Sequence, residues 1–282
     1  MRSDRLHTAV ASIRAADALV ICAGAGFGVD SGLPDFRGDE GFWRAYPPIR
    51  RLGLSFVDMA NPRWFRDDPH LAWGFYGHRL HLYRATQPHE GFAILRRIGQ
   101  RLAGGAFVFT SNVDGQFQAA GFDEDAIFEV HGSIRHLQCS RPCTSAIDDA
   151  DGLQVDVDSE TFRARDPLPA CPACGRVARP NVLMFGDGAW LGQRSDAQER
   201  RYAAWRDERR RRQQRVVVLE AGAGEHVPTV RHHAEAWLRS GQADLIRINP
   251  REAWGPRGTV SIEAGALEAL TAIESLLLQE DS

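Results

Sequence analysis

Lysine is absent from this sequence: all 34 of its basic residues are arginine. The base composition of the gene is the plain account of that bias, and it carries no functional weight. No uninterrupted apolar run approaches the roughly 18 residues that a membrane-spanning helix needs, so none is expected. Charge of either sign is not in excess. The formal net charge of −3 and a pI near 6.4 give no overall reason to expect a nucleic-acid or membrane partner. The first residues do not read as a secretory signal. Leu6, Val10 and Ile13 recur there at helical spacing between Asp4 and Asp17, so an amphipathic helix is expected, with a cytoplasmic location by default. Cysteine is scarce as well, and four of the five cysteines fall in two close pairs, which favours a metal over disulfides. The rest is the composition of an ordinary globular protein, 43% hydrophobic and 25% charged, and 282 residues suffice for one large domain or one domain with an inserted module.

The stretch from Ala18 to Gly38 organises the chain. Ala18 to Cys22 is a short apolar run suited to a buried parallel strand. It breaks into Gly24-Ala25-Gly26, where missing side chains let the backbone turn sharply and approach a ligand. Such a turn can present N–H groups to a phosphate, and an ordinary tight turn would look the same. Position 29, where a dehydrogenase fingerprint has its third glycine, is Val29, and no second strand with a terminal acid follows about 20 residues on. That argues against hydride transfer. Asp35, Phe36 and Arg37 then stand side by side between Pro34 and Gly38, in a loop suited to cover a ligand and not to fill a core.

Further along, Trp43, Tyr46, Phe56, Trp64, Phe65, Trp73, Phe75 and Tyr76 are expected to form an aromatic cluster among short helices. Tyr76 and Arg79, three apart, share one helical face. Ala106 to Phe109 is a second strand that ends in Ser111-Asn112-Val113-Asp114, polar residues at the end of a parallel strand where open α/β sheets bind ligands. Ile127 to Val130 is a third, ending at His131-Gly132; a lone histidine there is more often structural, but its place after two motif-bearing strands favours a functional one. Cys139, Cys143, Cys171 and Cys174 have the spacing of a tetrahedral zinc site with no open position, against free pairs or disulfides as the other readings. An Arg-dense helix from Glu199 to Arg215 is read as a solvated face because Glu199, Asp207 and Glu208 interrupt it; the rival is a nucleic-acid patch. Val216 to Leu219 and Asp244 to Ile248, taken as the last strand, lead into Glu220-Ala221-Gly222-Ala223-Gly224 and Asn249, and a helix from Ala264 to Leu278 closes the chain. Short apolar strands alternating with helical periods argue an α/β fold with a doubly wound parallel sheet.

These motifs, in order and over nearly the whole chain, resemble the sirtuins, the NAD-dependent protein deacylases. The resemblance implies a Rossmann-like core (1–38, 86–134 and 179–282) carrying a helical module (39–85) and a zinc module (135–178). It implies that NAD is held by Gly24, Ala25, Gly26, Asp35, Phe36, Arg37, Asn112, Asp114, Gly222 and Asn249. Two departures bear on that set: Ser111 replaces the family's Gln, and the loop at Gly222 lacks the hydroxyls of the family's GTS or GSS. His131 matches the catalytic base, and His89 falls near a histidine read as structural. Val182, Phe185 and Gly186 lie in a match to the segment that pairs with the substrate peptide by strand addition, with Asp187 in place of Glu. Tyr76 and Arg79 match the Tyr-x-x-Arg pair of sirtuins that accept succinyl- or malonyl-lysine; the plainer reading is that Arg79 pairs with an acid of its own module. The implied reaction gives free lysine, nicotinamide and O-acyl-ADP-ribose, on acylated protein substrates. An ADP-ribosyltransferase or NAD hydrolase on the same scaffold, and a non-catalytic NAD-binding module, are the rivals.

Overall fold

The structure is a computed structural model that describes residues 3–34, 42–44 and 46–279. Asp35, Phe36 and Arg37 lie outside the described residues. The strands are β1 (Ala18–Ala23), β2 (Ala106–Thr110), β3 (Ile127–Glu129), β4 (Gly132–Cys139), β5 (Asp148–Asp149), β6 (Val157–Asp158), β7 (Arg163–Ala164), β8 (Ala178–Val182), β9 (Val216–Ala221), β10 (Ala243–Ile248) and β11 (Val260–Ile262). The longer helices are α1 (Ser3–Arg14), α2 (Pro69–Ala85), α3 (Glu90–Arg101), α4 (Gln193–Arg211), α5 (Thr229–Arg239) and α6 (Ala266–Gln279).

Six strands form one parallel sheet in the order β11-β10-β9-β1-β2-β3. Numbered within the sheet this is the doubly wound order 3-2-1-4-5-6, in which the direction of winding reverses between β1 and β9. Both faces are covered, as a parallel sheet requires. The alternation of side chains in β1 sorts Leu19, Ile21 and Ala23 into a core with α1, α3 and α6, and Ala18, Val20 and Cys22 into a core with α4 and α5. β11 is a correction to the reading of β10 as the last strand: three residues give no periodic signal, and Val260–Ile262 is recruited by pairing to β10.

The second sheet, β5-β4-β8, is antiparallel, and β6 with β7 forms a small hairpin. Between these and the main sheet lies a third core, where Tyr46, Phe65, Trp73, Phe75 and Tyr76 are buried and Trp43, Phe56 and Trp64 pack against them. The aromatic cluster expected from the sequence is this core. His89 is structural, as read: its Nδ1 accepts from Gly91 N at 3.0 Å and its Nε2 lies 2.9 Å from Phe27 O, which ties the start of α3 to the turn after β1.

Under the sheet, His233 stacks on Phe109 with ring centroids 3.7 Å apart, and its Nε2 lies 2.7 Å from Tyr202 Oη, which accepts from Trp237 Nε1 at 2.7 Å. Burial, and then Arg206, push the His233 pKa down to about 4. The unfolded chain therefore binds this proton between about pH 6.5 and 4 while the fold does not, so stability is lost as pH falls through that window, by about 3 kcal/mol. Thermal melts at pH 7 and 4.5 are expected to show this drop, and His233→Asn to shrink it relative to the parent protein.

Candidate active site

The sheet reverses its winding between β1 and β9, and the turns that leave their C-terminal ends meet there, backbone on backbone. A Cβ on Gly24 would lie 2.6 Å from Ala223 Cα, and one on Gly222, whose φ is +67°, would lie 2.0 Å from Phe27 N. Only glycine allows that approach. Gly26 N donates to Gly222 O at 2.9 Å and seals the contact. In open α/β sheets this crevice is where ligands bind.

The end of β2 is pinned to the same place. Thr110 Oγ1 donates to Ala23 O at 2.9 Å and accepts from Asn112 N at 3.0 Å, while Asn112 Nδ2 donates to Gly24 O at 3.1 Å. Asp114 accepts from Gln116 N at 2.9 Å, and Gln116 in turn donates to Tyr83 O and Thr86 O at the end of α2. Burial raises the Asp114 pKa to about 6; the Gln116 N–H and Arg79 pull it down, and Glu129 adds to the rise.

His131 follows β3. Gly132 comes next with φ +75°, and a Cβ there would lie 2.1 Å from Asn181 O, so the passage of β8 dictates the glycine. His131 O accepts from Leu183 N at 2.9 Å. Burial pushes the imidazole pKa down, partly offset by a hydrogen bond with the backbone of Ser111, so the ring is neutral at pH 7.

One cavity of about 590 Å³ joins these parts, a size usual for ligand sites. Gly24, Ala25, Asn112, Asp114, His131 and Gly222 all line it. So do Tyr76, Arg79, Val182 and Phe185. Gly26, Gly186 and Asn249 lie outside its wall. Asn249 is buried behind it, donating from Nδ2 to Ala223 O at 2.9 Å and accepting from Arg251 N and Glu252 N. The Tyr76 hydroxyl has no hydrogen-bond partner among the described residues. Arg79 donates from Nε and Nη2 to Tyr83 Oη at 3.0 and 2.7 Å. Sequence reading missed Tyr83; its signal was there, since positions 76, 79 and 83 form one helical stripe.

Beyond β8 the chain is held by a buried bidentate pair, Arg179 Nη1 and Nη2 to the two oxygens of Asp187 at 2.7 and 2.9 Å. Asp187 also accepts from Met184 N and Ala189 N, and Phe185 N donates to Ala60 O, which leaves the side chains of Leu183 and Phe185 exposed at the cavity rim.

The comparisons with known proteins agree with this geometry. A model described as the Sir2 family matches residues 24–200. The chain belongs to the Sir2 family. It is 28% identical over 278 residues to an NAD-dependent protein deacylase of Thermus thermophilus, covering 96% of this chain and 94% of that protein. It is likewise 28% identical over 238 residues to one of Aquifex aeolicus, covering 83% and 84%. A deacylase of Candida albicans matches at 27% over 208 residues, 60% of this chain and 65% of that protein. A solved Sir2 homologue in complex with NAD aligns over 98% of this chain and 95% of its own, with a TM-score of 0.73 and 25% identity.

As in the reading of its sequence, this Sir2-family chain brings Cys139, Cys143, Cys171 and Cys174 together, with all four sulfurs within 4.8 Å of one another. Cys139 and Cys174 are 3.7 Å apart and Cys143 and Cys171 3.6 Å. A regular tetrahedron with Zn–S bonds near 2.3 Å has S···S edges of about 3.8 Å; the two short distances match it, and the remaining ones need close by about 1 Å at most, so the thiols fit zinc. Four thiolates leave no position for water, which makes the metal structural. One zinc per chain is expected by metal analysis of freshly purified protein. Cys171→Ser is expected to lower the melting temperature as well as the zinc content, because binding free energy at such a site is folding free energy.

Proposed function

We propose that the protein removes acyl groups from the lysine side chains of proteins, consuming NAD and releasing nicotinamide and O-acyl-ADP-ribose. The observation that carries this reading is the one cavity in which a half-buried histidine, its pKa pushed down by desolvation, shares the winding-reversal crevice with two glycine turns. NAD, when bound, supplies a ribose carbon with nicotinamide as its leaving group and a ribose hydroxyl for acyl transfer. The residues present fit it: the turns at Gly24 and Gly222 bring backbone to the crevice, and Asn112 and Asp114 offer polar groups beside them. Leu33, Phe56, Val113, Met184 and Val230 make much of the wall apolar and would exclude water from the reacting carbon of the bound cofactor. His131, held neutral by burial, takes the proton of the ribose hydroxyl at a ring nitrogen. The exposed side chains of Leu183 and Phe185 mark the rim along which the peptide lies.

The test is nicotinamide release from NAD with and without an acyl-lysine peptide, with the products identified by mass. Release that depends on the peptide, with the acyl group recovered on ADP-ribose, is expected. Release without the peptide, or ADP-ribose on protein, would point instead to a hydrolase or transferase. His131→Ala is expected to bind NAD as the parent does and to lose acyl transfer by about 10²-fold or more.

The wall of the cavity also bears on which acyl group is taken. A guanidinium and a phenol at the end of an acyl pocket can hold a distal carboxylate by charge-assisted hydrogen bonds, each contributing about 1.5–3 kcal/mol. Arg79 and Tyr76 stand together there, with the Tyr76 hydroxyl lacking a partner among the described residues. Arg79→Met is expected to lower kcat/KM on succinyl-lysine by ~10-fold or more and to leave acetyl-lysine nearly unchanged. An equal fall on both would assign Arg79 to the framework through its bonds to Tyr83.

A further inference from the structure

We propose that the segment 150–164, between the two cysteine pairs, sets the acyl-group preference of the site by fixing the position of α2; the inference rests on the deacylase reading above. One face of α2 turns Tyr76, Arg79 and Tyr83 into the cavity. The opposite face is bound to this segment along its whole length. His70 Nδ1 lies 2.8 Å from Ala164 O, and Arg84 donates to Leu153 O and Ala150 O at 2.6 Å each. Arg163 pairs with Asp68, which caps the helix by accepting from Leu71 N. Between these ends the two backbones nearly touch. A Cβ on Gly74 would lie 2.1 Å from Phe162 O, and one on Gly77 would lie 2.7 Å from Val155 Cγ1.

Glycine inside a helix is unfavourable relative to alanine, and two of them three residues apart on one face call for a cause. The close approach of the segment is that cause. The segment has its own strained point at the contact: Phe162 is buried with φ +57°, an uncommon conformation for an aromatic residue, and its ring packs on Tyr46 and His78 with centroids 5.5 and 5.3 Å away. A cavity of about 1050 Å³ opens beside the contact, walled by Pro48, His81, Asp156 and Glu160 among others. Tyr76 immediately precedes Gly77, and Arg79 is two residues beyond it. A change in spacing at Gly77 therefore reaches the acyl pocket directly, while the glycine turns that face the cofactor side belong to other elements.

Gly77→Ala tests the proposal, measured on acetyl-, butyryl- and succinyl-lysine peptides with kcat and KM taken separately. The ratio of kcat/KM between acyl groups is expected to shift at least threefold through KM for the peptide, with KM for NAD unchanged. Adding Val155→Ala, which removes the obstructing methyl groups, is expected to return the ratio toward that of the parent. Zinc content and a cooperative melt report whether the variant folds; if it does not, Phe162→Ala is decided by the same ratio. Unchanged ratios in a folded variant overturn the proposal, as does a proportional fall on all peptides with a raised KM for NAD. A parent protein inert on every peptide removes the deacylase reading and this inference with it. An active parent whose ratio the variants leave unchanged removes the inference alone.

Discussion

The contact between the turns after β1 and β9 constrains everything else in this molecule. Two parallel strands side by side would ordinarily diverge into loops separated by side chains. Here both loops carry glycine where they meet, so Gly24 and Gly222 pack at distances that a Cβ at either position would forbid. The neighbouring strand ends are tied to that contact by side chains: Thr110 and Asn112 reach back to Ala23 and Gly24, and Asn249 reaches across to Ala223. Four strand ends are thus tied together at this contact by side-chain hydrogen bonds. The crevice is open because the connections from β1 and β9 leave on opposite faces of the sheet.

Two buried ion pairs secure the flanks of this arrangement. Glu220 and Arg247 stand opposite each other in the register of β9 and β10, 2.7 Å apart, with Glu235 from α5 joining at 3.1 Å. Arg179 and Asp187 do the same beyond β8. Desolvation offsets much of the attraction in such pairs, so their net contribution to stability is small, yet leaving either partner alone costs about 3–5 kcal/mol. Their value lies in geometry. The first locks the strand that delivers Gly222, and the second fixes the bend at Gly186 that exposes Leu183 and Phe185.

Much of this was legible in the sequence because the informative residues are local. A strand of apolar residues that ends in glycine or a polar cluster announces itself within ten positions, so β1, β2, β9 and β10 and the place of Asn112, Asp114 and His131 could be read with boundaries within a residue or two. The cysteine pairs were legible for the same reason. What was not legible depends on pairing between distant segments. Glu220 reads as part of a loop until Arg247 is known to lie beside it, and then β9 extends to Ala221. β11 is too short to signal itself. Asn249 reads as a ligand-facing residue at a strand end, yet its amide is consumed by Ala223 and by the turn that follows. Tyr83 was visible as one more helical aromatic, and only its bond to Arg79 sets it apart.

The electrostatics of the cavity follow from its dryness. Burial disfavours charge on both of its central titratable groups, pushing Asp114 up to about 6 and His131 down. Near pH 7 Asp114 is then mostly ionised, and the downward shift at His131 favours its neutral ring. The Gln116 N–H, and after it the Arg79 guanidinium, oppose the rise at Asp114 and favour its ionised form. The same guanidinium is held by Tyr83, whose backbone carbonyl accepts from Gln116, and Gln116 fixes Asp114. The α2 wall of the cavity and the end of β2 are therefore joined through one short chain of hydrogen bonds, and the position of α2 enters the charge state of the cavity as well as its shape.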